Sequence, residues 1–162
     1  MVTGIGEEDF GDCRNLLSVK TPNSVTYIGK SAFSGCSNLK SVAITNSVTS
    51  IGESAFQNCS SLTSMVIPNS VTSIGKSTFQ GCSSLSSLII GESLTSVENS
   101  AFDDCDNLSS IVFNCRQIGI WFSGKASIED VVIGENVTSI DYLAFPVFRN
   151  EVTQMGVQGF IP

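Results

Sequence analysis

The amino-acid sequence predicts an α/β repeat solenoid, mainly β: a right-handed coil of parallel strands broken by short helical or 3-10 turns. Three observations predict it. Residues 1–23, 24–46, 47–69, 70–92 and 93–115 are five ungapped units of 23 residues. Phenylalanine recurs at Phe10, Phe33, Phe56, Phe79 and Phe102, with cysteine three residues later at Cys13, Cys36, Cys59, Cys82 and Cys105. Leucine follows at Leu16, Leu39, Leu62, Leu85 and Leu108, and then an apolar residue at Val19, Val42, Met65, Leu88 and Ile111. A unit this short cannot bury its own apolar edge, so stacking against neighbours is the physical reason for the period. A parallel β-helix without helices is the alternative architecture.

Each element follows from spacing, taken here in the third unit. SVTSIG places Val48 and Ile51 inward, three apart, on an extended or bent edge closed by Gly52. ESAFQNCSS carries Ala55, Phe56 and Cys59, spaced like one turn of helix. LTSMVI puts Leu62, Met65 and Ile67 inward, as a strand entered through a tight bend does. Pro68-Asn69 ends that strand, because proline cannot continue a ladder and asparagine tolerates turn geometry.

The period continues with losses. A shortened unit, 116–135, lacks about three residues and the Ala-Phe and Cys positions, yet its IEDVVIGE keeps Ile128, Val131 and Ile133 in register. A partial unit, 136–145, restores Val137, Ile140, Ala144 and Phe145. The solenoid is therefore expected over 1–145. The tail 146–162 breaks the period but holds seven apolar residues from Val147 to Ile161, which predicts a segment folded over the last coil. Met1 stands where Ser24 and Ser47 stand, with no polar coil before it. That predicts either a longer natural chain or a first coil covered by another molecule, including self-association through this end.

Composition narrows the function classes. The net charge of −7 offers no attraction to nucleic acid phosphates or to an anionic membrane. The absence of histidine removes Ser-His-Asp and Cys-His catalysis and imidazole zinc sites. No apolar run approaches the roughly 20 residues that span a bilayer, and MVTGIGEEDFG has neither the basic start nor the apolar centre of an export signal.

Six cysteines raise disulfide or metal chemistry. Five form the interior column, where parallel Cβ vectors hold neighbours near 5 Å, about 1 Å wider than a bridge requires. Four-sulfur zinc binding needs convergent ligands, which a column does not supply. These thiols are expected to fill the layer, leaving Cys115 as the one candidate for exposed reactivity. Asp103, Asp104 and Asp106 lack the glycine and the twelfth-position glutamate of a calcium loop, and are expected as solvated carboxylates at a helix start, with Glu7, Glu8, Asp9 and Asp12 on the same arc. Glu129 and Asp130 are adjacent in a strand and point opposite ways, which is no glycosidase pair. No enzyme, metal or cofactor is expected.

The outward strand positions form two columns. One is Ser18, Ser41, Ser64, Ser87, Ser110 and Asp130; beside it run Lys20, Ala43, Val66, Ile89, Val112 and Val132. The second predicts an exposed apolar stripe suited to binding a protein or to self-association.

The repeated columns S-V-T-x-I-G-x-x-A-F-x-x-C-x-x-L-x-x-[IVLM]-x-I-P-x resemble the BspA-like leucine-rich repeats of bacterial and protist surface proteins, over residues 1 to about 145. The resemblance implies a leucine-rich-repeat solenoid without catalysis, in a cell-surface or secreted protein that binds host matrix, plasma or cell-surface proteins. The strand face carrying Ser41, Ala43, Ser64, Val66, Ser87, Ile89, Ser110, Val112, Asp130 and Val132 is then the binding surface. A structural spacer within a longer surface protein is the alternative. Phe10, Phe33, Phe56, Phe79, Phe102 and Phe145 and the five column cysteines are expected to be structural.

Overall fold

A computed structural model describes residues 1–122, 125 and 127–145; the expected C-terminal cap at 146–162 lies outside the described residues. In chain order the strands are β1 (Ser18–Lys20), β2 (Tyr27–Ile28), β3 (Ser41–Ala43), β4 (Ser50–Ile51), β5 (Ser64–Ile67) and β6 (Ser73–Ile74). They continue as β7 (Ser87–Ile90), β8 (Ser96–Val97), β9 (Ser110–Phe113), β10 (Gln117–Ile118), β11 (Asp130–Ile133) and β12 (Ser139–Ile140). Odd-numbered strands pair only with odd and even only with even, always in parallel. The chain is therefore a stack of coils, each contributing one strand to each of two sides, as the period requires. Ser64 pairs with Ser87 and Ser87 with Ser110, so repeat positions become columns running along the stack.

The third side corrects an expectation. No described residue is helical. In the arc after Gly52, amides alternate between two destinations: Ala55, Gln57 and Cys59 donate to the carbonyls of Gly52, Ser54 and Phe56, closing local turns, while Ser54, Phe56 and Asn58 donate to Lys76, Thr78 and Gln80 of the next coil. A helix would direct every one of these amides inward along its own axis. The arc instead gives half of them to its neighbour, which ties the coils together on this side as the ladders do elsewhere. The spacing of Ala55, Phe56 and Cys59 suits both patterns, which is why it reads as helical.

That alternation needs a left-handed backbone at two places in each coil. Glu8, Ser31, Ser54, Ser77 and Ser100 form one column at φ between 52° and 61°. Asp12, Gly35, Asn58, Gly81 and Asp104 form the other, at φ from 54° to 74°. The second column contains only Asp, Asn and Gly, the residues that enter this region most readily. Asp104 is thus explained by turn backbone rather than by a helix dipole.

Between the three sides lies one apolar interior. Phe33, Phe56, Phe79 and Phe102 are stacked with centroids 5.3 to 5.5 Å apart and planes within 8°, and all four are buried. Phe10 stacks on Phe33 at 5.2 Å, but its outer ring face is open and the residue is 41 % exposed. Cys13 is exposed as well, so the first members of both columns are not interior. The reason is position, since no described residue stacks on the outer side of this coil, where Val2 and Leu17 are also exposed. At the alanine position of the fourth coil stands Thr78, fully buried, whose hydroxyl lies within hydrogen-bond distance of the Gly52 and Gly75 carbonyls. The glycine that follows each SVTSI run is set by close approach: a Cβ on Gly75 would lie 2.6 Å from the Glu53 amide nitrogen.

The shortened sixth coil also departs from expectation. Phe122 is buried with its ring 4.9 Å from that of Phe102, so the phenylalanine column is kept. Cys115 is buried too, in the column of Val71 and Leu94, as shown by Thr138 donating to Arg116 just as Thr95 donates to Thr72. The missing residues come mainly from the turn, where Asn114 alone replaces a stretch such as Gly91-Glu92-Ser93. Phe145 packs edge-on against Phe113 at 5.8 Å and is partly buried.

Candidate binding face

The outward side of the odd strands is the surface singled out by the sequence. Burial alternates along β5, β7 and β9, with Met65, Leu88 and Ile111 and then Ile67, Ile90 and Phe113 inward. The residues between them face out by the pleat of the strand. Val66, Ile89, Val112 and Val132 are paired in that order across β5, β7, β9 and β11. Val66 and Val132 are 53 % and 52 % exposed, while Ile89 and Val112 are partly covered by their neighbours in the column. Ser64, Ser87, Ser110 and Asp130 form the second column at the start of the same strands. The ten proposed binding residues thus share one face.

They do not share one ladder. β1 and β3 form a separate two-stranded sheet, and β3 is not hydrogen-bonded to β5. Ser41 and Ala43 therefore stand apart from the four-stranded remainder. At the break the surface opens into a shallow hollow of about 650 Å³ lined by Asn23, Ile44, Thr45, Asn46, Ser47, Val66 and Pro68. Sequence reasoning missed the break, and the repeat carries a weak sign of it: the strand is closed by Thr45-Asn46 in the second coil where the third has Pro68-Asn69. Beside the hollow the Asn69 amide donates to Asn46 Oδ1 and the Glu92 amide to Asn69 Oδ1, each at 3.2 Å.

Charge on this face is segregated. Lys20 and Lys40 lie toward the first coils, and Glu129 and Asp130 toward the sixth, all exposed. Serine, threonine and the apolar column occupy the space between. The acidic arc of Glu7, Glu8, Asp9 and Asp12 lies on the turn side and not here; its visible interactions are local, Gly6 donating to Asp9 Oδ2 and Arg14 pairing with Asp12 at 3.6 Å.

The thiols are the other reactive groups. All six are free. Cys36, Cys59, Cys82 and Cys105 are buried and donate to the carbonyls of Phe10, Phe33, Phe56 and Phe79 at 3.0 to 3.2 Å. Burial pushes the Cys59 thiol up to about 12, with the neighbouring Cys36 adding to the shift, and Cys105 up to about 11. Cys82, the most enclosed, is raised further by the same causes. Cys115, expected to be exposed, donates to the Gln117 carbonyl at 3.4 Å and is also raised by burial. Thiolate chemistry is suppressed at every buried position, because the thiolate is the nucleophile and the metal ligand. Among the described residues, no cluster of three or more Cys, Asp or Glu side chains is arranged to hold a metal ion.

Comparison with known proteins agrees with this architecture. The family model for the BspA type leucine rich repeat region matches six copies, over residues 3–121 and 40–152. A leucine-rich repeat protein of T. pallidum superposes with a TM-score of 0.75 at 28 % identity, covering 86 % of this chain and 66 % of its own. The pneumococcal vaccine antigen PcpA shares the fold, with a TM-score of 0.66 at 18 % identity over 84 % of this chain and 38 % of its own. The chain thus spans slightly less than two thirds of the first and well under half of the second. No curated protein sequence matches it significantly. With the repeat columns, the stacked coils and the family match in agreement, the chain belongs to the BspA type leucine-rich repeat family.

Proposed function

We propose that this chain is a non-catalytic protein-binding or adhesion module of a cell-surface or secreted protein, with its ligand on the outward face of the odd strands. The observation that carries the reading is the apolar column Val66, Ile89, Val112 and Val132, paired strand to strand beside a serine column, with Val66 and Val132 exposed and Ile89 and Val112 half-buried. β-Branched residues suit strands on any face. A contiguous exposed apolar run is nevertheless uncommon on a monomer's surface, and it supports a protein-binding patch in which buried apolar area gives affinity. A parallel ladder also fixes the backbone beneath these side chains, and β-branching restricts their rotamers, so less entropy is lost when a partner orders them. The surface compartment and the class of partner rest on the family resemblance.

The test is binding of the purified chain, at sub-micromolar concentration, to a panel of immobilised extracellular-matrix, plasma and cell-surface proteins, with V66K/I89K measured in parallel. Binding by the native chain that falls at least tenfold in the variant is expected. Equal binding by both, or no binding to any member of the panel, overturns the reading.

A further inference from the structure

The strand face is complementary to itself, and we infer that one partner it fits is a second copy of this chain, laid face to face with its coils running in the opposite order. The inference builds on the reading of this face as a protein-binding surface and names an occupant for it.

Two observations carry it. The first is the separation of charge along the stack: Lys40 immediately precedes β3 near one end, and Glu129 immediately precedes β11 near the other, both exposed. The second is the column register. Ser64, Ser87, Ser110 and Asp130 are direct ladder partners, so the residues just before them, Thr63, Ser86, Ser109 and Glu129, share one column, and Lys40 holds the same repeat position. A two-fold axis lying in the interface, parallel to the strands and beside Ile89, reverses coil order while keeping columns aligned. It sets Ile89 against its own copy, Val66 against Val112, and Ala43 against Val132. The same rotation sets Lys40 against Glu129, twice. An isologous interface requires this kind of self-complementarity, and the apolar column between the charged ends supplies the area that leaves water when two sheets pack about 10 Å apart.

Size decides how tight the pairing is. Six coils at roughly 4.8 Å each, one short strand wide, give a face below the roughly 800 Å² per partner of a standard interface. The pair is therefore weak and is sought at about 100 μM and above.

Sedimentation equilibrium of the whole chain tests it through charge reversal. The native chain is expected to dimerise with concentration, and K40E and E129K are each expected to dimerise at least tenfold more weakly, since like charges then oppose twice across the axis. An equimolar mixture of the two variants is expected to regain dimer, because each reversed charge meets its opposite in the other variant, and the double variant K40E/E129K regains it alone. Both residues are exposed, and unchanged thermal unfolding confirms that the variants fold. A native chain that stays monomeric to several hundred micromolar overturns the pairing while leaving the binding-panel result to stand on its own. A dimer indifferent to both reversals, as expected of contact through the open first coil, overturns it too.

Discussion

The ring of Phe122 lies 4.9 Å from that of Phe102, tilted by 30°, and so prolongs a column whose earlier members are stacked nearly flat. The sixth coil is three residues short, yet the chain spends its loss in turns and keeps the ring in the layer. The tilt is accompanied by an edge-on contact with Phe113 at 5.9 Å, which a full-length coil does not make. This ordering predicts graded costs along the column. Phe56→Ala, between two stacked rings, should lose roughly 3–5 kcal/mol through transfer and cavity terms. Phe10→Ala, with one ring face already in water, should lose less than about 1.5 kcal/mol. Urea unfolding of the two variants checks it, and equal losses would mean that the first coil is covered in solution.

Thiol accessibility gives a second prediction. Cys13 is exposed while the other five cysteines are buried. A thiol reagent at pH 8 should therefore label one cysteine quickly and the rest only on unfolding, and Cys13→Ser should abolish the fast phase. A fast phase that survives in Cys13→Ser and disappears in Cys115→Ser would return Cys115 to the surface.

The core was legible in the sequence because stacking copies each interior position 23 residues later, so Phe56, Cys59, Leu62 and Met65 announce their burial by recurring. Cys13 and Cys115 depart from the period for opposite reasons. Cys13 recurs like an interior residue, but no described coil stacks on its outer side, and burial depends on such a neighbour as much as on the period. Cys115 falls out of the 23-residue count because the shortening comes just before it, and the hydrogen bond from Thr138 to Arg116 places it in the inward column of Val71 and Leu94. The arc was read as helical because inward spacing of three constrains side chains and not amides. The Asp, Asn and Gly of the left-handed column carry the missing signal, which a helix-start reading of Asp104 passes over. On the outward face, strand pairing follows the period from β5 to β11, but the break in hydrogen bonding between β3 and β5 leaves only a weak mark, Thr45-Asn46 in place of Pro68-Asn69, in a period that continues through it.

Alkaline pH should weaken the fold through the thiol column. The ordinary thiol value of 9.0 applies to the unfolded chain, whereas Cys59 in the fold is pushed up to about 12. Below pH 9 both states hold the proton and this group gives stability no pH dependence. Above it the unfolded state releases the proton and the folded state keeps it, so stability falls with rising pH until about 12. Each such buried thiol contributes a slope of up to about 1.4 kcal/mol per pH unit. Urea unfolding at pH 8, 9.5 and 10.5 should show a shallower loss for Cys59→Ala than for the native chain, whatever the offset between them. Parallel slopes would show that the column thiols ionise without opening the fold.

The left-handed columns predict opposite effects for two small substitutions in adjacent coils. Ser54 holds φ at 53°, a region that an L side chain enters at roughly 1–2 kcal/mol, while glycine enters it freely but raises the entropy of the unfolded chain by up to about 1 kcal/mol. Ser54→Gly should therefore stabilise by roughly 0.5–1 kcal/mol. Gly81 holds φ at 74°, and a Cβ built there meets Asn58 Oδ1, the far end of an exposed side chain. Gly81→Ala takes on the backbone strain while the Asn58 amide shifts aside, and should destabilise by about 1–2 kcal/mol. Gly81→Asn, which matches the residue at position 58 of the preceding coil, should recover part of the loss, because asparagine tolerates this backbone better than alanine. Urea midpoints for the three variants decide the matter: a destabilising Ser54→Gly, or an Asn variant no better than Ala, would show that the arc does not hold the left-handed turns that let alternate amides bridge the coils.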